Sequence, residues 1–315
     1  MARRDRTQST TRPRGRMARR ERTWGLILAL PWLIGFAAFY AYPIGASAYY
    51  SFTSFNIFQS PAWVGLENYA TMIADYRFWK TLYNTLYLAV FGVPLTIILA
   101  LGVAVLLNAP VRGQPIYRAL MYLPTIVPLV VAVYVWRWML NPENGIVNAF
   151  LGALGLPKPL WLHDPSFTKW SILMIAFWTI GGTVVIYLAA LKGVPNELYE
   201  AAMIDGAGAF RRFRHVTVPL IAPVTLFQVI VILIGYLQIF TQPYLLGREA
   251  HSNTNVALGG PNESMLTYAM YIYQNAFSYL KMGYASALAW VLFLIVLMVS
   301  LVIFRSSRKW VHYEG

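Results

Sequence analysis

The chain has 315 residues, of which 58% are hydrophobic and only 12% charged, and it contains no cysteine. Soluble domains carry about a quarter charged residues, so this composition points to a membrane protein. The missing cysteines exclude disulfides, thiolate nucleophiles, iron–sulfur clusters and cysteine-ligated zinc, while the net charge of +13 leaves nucleic acid, lipid headgroups and membrane topology as explanations.

Residues 1–23 are rich in Arg, Thr and Pro with almost nothing apolar, which predicts a disordered basic tail that clings to anionic lipid. Six apolar runs follow that are long enough to cross a bilayer, which takes about 20 helical residues. They are 24–42, 86–107, 119–136, 172–191, 220–246 and 285–304. Ala46-Ser47-Ala48 resembles a signal-peptide cleavage site, but the apolar run before it is too long for one, so a retained span is expected. The predicted fold is an all-α membrane protein with six transmembrane helices over 24–304, a polar loop at 192–219 between spans four and five, and a C-terminal tail at 305–315.

Orientation follows from Lys and Arg. Eighteen of the 25 lie before span one, between spans two and three, between spans four and five, or after span six. Six lie in the alternate connections: Arg77, Lys80, Lys158, Lys169, Arg248 and Lys281. Both termini are therefore expected in the cytoplasm. This asymmetry accounts for the net charge without any nucleic acid.

The first outer connection is aromatic and nearly uncharged and includes Trp63–Tyr69, which suits a segment lying at the membrane surface. Pro94 in span two and Pro124 and Pro128 in span three predict kinks. The third–fourth connection should carry a small helix near 146–154. Gly181-Gly182 in span four permits close helix approach or local unwinding. The fifth–sixth connection is the longest, with a polar insertion at 248–256.

No Asp, Glu, Lys or His lies inside a predicted span, so the ionisable residues of ion-coupled carriers are missing. All four histidines lie outside the predicted spans, and there is neither a GxxxxGK[ST] phosphate loop nor a GxSxG elbow. A membrane protein without these is a passive pore or draws its energy from a partner.

A polar island at 191–223 is the place for such a partner. Asn196 is a good N-cap, Glu197 and Glu200 sit in the first turn where the helix dipole favours acids, and Ala201-Ala202 offers a smooth surface. Asp205-Gly206-Ala207-Gly208 interrupts, and a second helix begins near Ala209, carries Arg211, Arg212 and Arg214, and closes at Pro219. Taken alone, this pattern also fits an ordinary amphipathic loop on the positive side of the membrane.

Glu200-Ala201-Ala202, Gly206 and Val216-Thr217-Val218-Pro219 resemble the EAA motif of ATP-binding-cassette importer permeases, with Val216 and Val218 as conservative departures. Asn84-Thr85, Gly259-Gly260-Pro261, Tyr271-Ile272-Tyr273, Met282 to Ala287 and the terminal Trp310 to Glu314 are similar to the first permease of carbohydrate importers of the maltose and glycerol-phosphate type. The resemblance implies a non-enzymatic subunit with no cofactor of its own. It further implies a second homologous permease, an ATPase dimer holding ATP and Mg2+, and an extracytoplasmic solute-binding protein that meets the outer loops. Glu197, Glu200, Ala201, Ala202, Asp205, Gly206, Ala207, Arg211 and Pro219 would then form the ATPase-coupling element, with Gly206 as its bend.

A sugar needs hydrogen-bonding groups and aromatic faces along an apolar path. Candidates are Gln228, Tyr236, Gln238, Thr241, Gln242 and Tyr244 on span five, Trp178 and Thr183 on span four, and Asn84 near span two. The expected function is the permease subunit of a sugar importer. A polyol or glycerol-phosphate solute on the same architecture, and a stand-alone ion-coupled carrier or channel, are the alternatives.

Overall fold

The computed structural model describes residues 17–110, 112–247, 258–308 and 311. Their regular structure is helical: α1 (Met17–Phe36), α2 (Tyr42–Tyr50), α3 (Glu67–Ala74), α4 (Tyr76–Asn108), α5 (Gln114–Ile126), α6 (Leu129–Met139), α7 (Ile146–Ala153), α8 (Pro165–Trp178) and α9 (Gly181–Lys192). There follow α10 (Asn196–Ile204), α11 (Ala209–Arg212), α12 (Val218–Leu220), α13 (Ala222–Leu237), α14 (Thr241–Gly247), α15 (Tyr268–Tyr273) and α16 (Met282–Ser307). Four stretches are long and apolar enough to cross a membrane: Thr23–Tyr50, Tyr76–Asn108, Ala222–Gly247 and Met282–Ser307. The bent pairs α5–α6 and α8–α9 bring the number to six if each is one span.

The axis is α4, whose 33 residues span about 50 Å. Near its middle Leu88, Ala89 and Val93 pack with Ile172, Leu173 and Ile175 of α8 and Leu233, Tyr236 and Leu237 of α13. Towards its C-terminus Ala100 and Ala104 are fully buried against Val184, Tyr187, Leu188 and Leu191 of α9. Small residues on one face let the two backbones approach, the usual device where lipid supplies no hydrophobic drive between helices. At the N-terminal end of α4 a third cluster joins Met72 and Phe78 to Tyr268, Met270, Tyr284 and Leu288.

Residues 258–281 lie across that end and are pinned from below. Asn84 Nδ2 donates to the carbonyls of Glu263 (2.8 Å) and Leu266 (2.9 Å), and Thr85 Oγ1 accepts from the Tyr268 N–H (2.8 Å). Thr267 Oγ1 donates to the Ile239 carbonyl at 2.8 Å. The small helix expected near 146–154 is α7, and Asn148 closes its loop by donating to Pro142 and Pro159 carbonyls while accepting from Trp161 Nε1.

Several expected boundaries change. Helix already begins at Met17, so only 1–16 of the expected disordered tail falls outside the described residues. Tyr42-Pro43 does not end span one: a π turn at Ala37–Ala41 widens the backbone ahead of Pro43, and the chain stays helical to Tyr50. This helix buries none of its apolar window within the chain, and Leu28 and Phe39 are each 78% exposed. Spans three, four and five are not continuous helices. The insertion at 248–256 and the end of the tail, 312–315, lie outside the described residues.

Candidate functional site

The three interruptions share one place. Pro128 forces the residue before it out of the α region, so Val127 is extended (ψ 126°) and α5 meets α6 at 98°. Span four turns by 51° at Thr179-Ile180, just before Gly181. Gly181 lies so close to α5 that a Cβ would stand 2.5 Å from the Met121 carbonyl and the Thr125 hydroxyl. Span five unwinds at Gln238–Phe240, where the Ile239 carbonyl is taken by Thr267. Leu129, Thr179, Ile180, Gln238, Ile239 and Phe240, drawn from all three breaks, line one cavity of about 410 Å³. Non-helical backbone at membrane depth is tolerated where it faces a water-filled cavity or is buried in protein.

The polar surface of this cavity comes from Thr96, Thr179, Thr183, Tyr236, Gln238, Thr241 and Gln242. No Asp, Glu, Lys, Arg or His is among its lining residues. Tyr236 is held in place twice. Its hydroxyl shares a 3.1 Å hydrogen bond with Thr96 Oγ1, and its ring fills the space over Gly92, where a Cβ would lie 2.4 Å from the ring. Gly92 and Thr96 are four residues apart on one helix face and together form the seat for this side chain.

The structure brings the candidates Tyr236, Gln238, Thr241, Gln242 and Thr183 together here and leaves Gln228, Tyr244, Trp178 and Asn84 out of the lining. Trp178 packs edge-on against Trp136, with ring centroids 6.3 Å apart. Gln228 is buried, and its Nε2 has no partner among the described residues. Asn84 is committed to the backbone of residues 263–266. Thr96 and Thr179 join the lining without having stood out in the sequence, since a threonine within an apolar span carries no local mark of the cavity it faces.

At the C-terminal end of α4 lies the polar island. Pro195, not Asn196, is the N-cap residue of α10, and no side chain caps that end, because Asn196 has already entered the helix. Glu197 sits in the first turn, whereas Glu200, expected there too, falls in the second because the helix starts at Asn196. At the other end Gly206 adopts φ +75°. The Ala207 N–H donates to Ala202 (2.9 Å) and the Gly206 N–H to Met203 (3.0 Å). These two bonds make the left-handed helix cap that glycine favours. α11 runs through a π turn at Phe213–Thr217 into α12, so Pro219 lies within helix and the break falls at Ile221. The Tyr199 and Thr217 hydroxyls lie 2.8 Å apart and fasten α10 to that turn. Glu197, Glu200, Ala201, Asp205, Gly206 and Arg211 are exposed, and Ala202, Ala207 and Pro219 half-buried. Beside them Ile204 (87% exposed) and Phe210 (75%) present apolar side chains that sequence reading did not single out.

A helical membrane bundle with broken spans around an uncharged polar cavity, and an exposed helix pair at one end, has the build of a transport permease. Residues 92–310 match the family model of the binding-protein-dependent transport system inner membrane component, and the chain belongs to that family. It is 38% identical over 305 residues to the probable ABC transporter permease protein YesP of Bacillus subtilis, covering 96% of each. It is 35% identical to the sulfoquinovosyl glycerol transport system permease protein SmoG of Agrobacterium fabrum (91% of each chain). With the sn-glycerol-3-phosphate transport system permease protein UgpA of Yersinia enterocolitica it shares 31% identity (91% of this chain, 95% of that one). Its fold is similar to a chain of a bacterial ABC transporter involved in alginate import, with a TM-score of 0.79 at 22% identity, covering 94% of this chain and 99% of that one. The importer-permease resemblance read from the EAA-like residues is thereby supported over nearly the whole chain.

Proposed function

We propose that the chain is one permease half of an ATP-driven, binding-protein-dependent importer of a neutral saccharide. The observation that carries this reading is the lining at the helix breaks, which offers hydroxyls, amides and aromatic rings but no charge. The charged side chains that normally meet a phosphate ester, Arg and Lys, are absent from this lining, which favours a sugar or polyol over a glycerol phosphate. The names of SmoG and of the alginate transporter support a saccharide-type solute; alginate is an acidic polysaccharide, so the neutral charge rests on this chain's lining alone.

On this reading the cavity is this chain's share of the path, and a second, homologous permease supplies the other wall. α10 and α11 face the cytoplasm and dock on an ATPase dimer that holds ATP and Mg2+; the chain needs no cofactor of its own. The end with residues 51–75, 140–165 and 258–281 faces outward and receives a solute-binding protein, and both termini are cytoplasmic. The neighbouring structure includes a complex with an alginate pentasaccharide-bound periplasmic protein, which supports a partner of that kind. The energetic device is a rigid element with two arrangements whose balance nucleotide shifts. Proteoliposomes holding both permeases take up sugar only when the ATPase and ATP are inside. Uptake by this chain without any ATPase would overturn the proposal in favour of a channel or carrier.

A further inference from the structure

A second cavity, of about 550 Å³, opens at the N-terminal end of α4 and α16 and shares no lining residue with the one at the helix breaks. Its walls are Ser54, Phe55, Asn56 and Phe58 of the loop after α2, Asn68 and Thr71 of α3, Asp75, and Tyr271, Asn275, Tyr279, Leu280, Lys281 and Tyr284. We propose that it is a peripheral saccharide site, taking one neutral sugar ring on the outward face of the permease. The proposal rests on the saccharide reading above and adds to it a site outside the translocation path.

The chemistry converges on Asp75. Its Oδ1 caps α4 by accepting from the Arg77 N–H at 2.9 Å, and its Oδ2 accepts from the hydroxyls of Tyr271 and Tyr284 (3.0 Å). A carboxylate has about four lone-pair sites, so one stays open for a ligand hydroxyl. Burial and then the Asp75 carboxylate push the Tyr271 phenol up to about 12, which keeps it a neutral donor. Arg77 itself is turned to Glu263 at 2.8 Å and does not neutralise the aspartate.

Amide groups add fixed donors and acceptors. Asn68 Nδ2 is held by the carbonyls of Ser51 and Thr53 (2.9 Å each), and Asn275 Nδ2 by that of Tyr271 (2.9 Å). Neither amide oxygen accepts a hydrogen bond among the described residues. The positions of these groups are set by their own bonds, so a ligand would meet a preorganised surface.

The rim supplies an aromatic face. Asn56 Oδ1 accepts from the N–H groups of Phe58 (3.0 Å) and Gln59 (2.8 Å), and this turn presents the Phe58 ring 80% exposed. Phe58 stacks on no other ring among the described residues. On the opposite side Leu280 adopts φ +57°, a left-handed conformation that a leucine rarely takes, and its side chain stands in the wall where glycine would leave a gap. One acid and one base, Asp75 and Lys281, line the cavity together with hydroxyls, amides and rings. That mixture suits a neutral polyhydroxylated ligand better than an ion of either sign.

The test uses the importer reconstituted with its partners and four probes: diazirine-bearing methyl glycosides of glucose, galactose, rhamnose and arabinose. Photolabelled peptides are mapped by mass spectrometry. At least one probe is expected to label peptides containing 54–58 and 271–284 in addition to 235–242. Phe58→Ala alters only an exposed ring, and Asp75→Asn keeps the acceptor for the α4 cap while removing the charge. Asp75→Asn is expected to lower labelling at 54–58 and 271–284 by about tenfold, the factor associated with one charge-assisted hydrogen bond, and Phe58→Ala by about two- to tenfold, the loss of an aromatic contact of about 0.5–1.5 kcal/mol, with labelling at 235–242 unchanged in both. Label confined to 235–242 would overturn the peripheral site alone. Undiminished label at 54–58 and 271–284 in both variants would overturn the assigned residues. Label at neither place with any probe would overturn the saccharide reading as well.

Discussion

Gly206 tests the coupling element most sharply, because the structure separates two reasons why a glycine could be needed there. A Cβ added at Gly206 meets nothing within 4 Å, so collision inside the chain is not the issue. Its φ of +75° is the issue: a side chain in the left-handed region costs about 1–2 kcal/mol. A penalty of that size lowers the population of the present bend between α10 and α11 by about 5- to 30-fold. Gly206→Ala and Gly206→Val should therefore weaken ATPase capture and reduce sugar imported per ATP hydrolysed, valine the more because it is β-branched. Gly206→Asn should retain most function, since asparagine tolerates the left-handed region. Co-purification of the ATPase and coupled uptake in proteoliposomes read both effects. An asparagine variant as damaged as valine would refute the backbone argument and point to bulk against the partner. Wild-type capture and uptake in the valine variant would refute the coupling role.

Four other expectations follow from the geometry. Ile204→Asp and Phe210→Asp place charge on exposed apolar groups at the helix pair, so they should lose ATPase co-purification while thermal stability of the isolated chain stays within about 0.5 kcal/mol of wild type. Gly92→Ala drives a Cβ into the Tyr236 ring; the overpacking should cost about 1–3 kcal/mol in thermal unfolding and raise the KM for uptake, whereas an unchanged KM would dissociate Tyr236 from the path. Asn84→Ala strands one buried and one part-buried carbonyl and should cost about 2–4 kcal/mol, read as a lower Tm with unaltered KM, while Arg77→Ala should cost about 0.5 kcal/mol because its ion pair with Glu263 is partly solvated.

The apolar runs were legible because a bilayer sets a minimum length that few other contexts demand. The two short helices of the polar island were legible too, since Glu197 near a helix start and Gly206 at a helix end are local chemistry. The bend at 127–128 could be read from Pro128, whose ring acts on its neighbour alone. The unwinding at Gln238–Phe240 could not: it carries no proline, and the freed Ile239 carbonyl is satisfied by Thr267, 28 residues on. Asn84 shows the same difficulty. A buried amide in a span fits a substrate path or a structural clamp equally well, and its partners lie 179 and 182 residues away. The extension of the first helix to Tyr50 was hidden by Pro43, which normally marks a stop and is absorbed here after a π turn.

The central claim is that the uncharged cavity around Tyr236 serves a neutral sugar and is driven by a partner ATPase. The most direct measurement is ATP hydrolysis by the reconstituted importer, with its binding protein, against a panel of neutral mono- and oligosaccharides and glycerol 3-phosphate. The account predicts stimulation by at least one neutral saccharide and none by the phosphate ester, with stimulation reduced in Tyr236→Ala and Gln238→Ala. Stimulation by glycerol 3-phosphate alone, or by a sugar to the same extent in both variants, would contradict it.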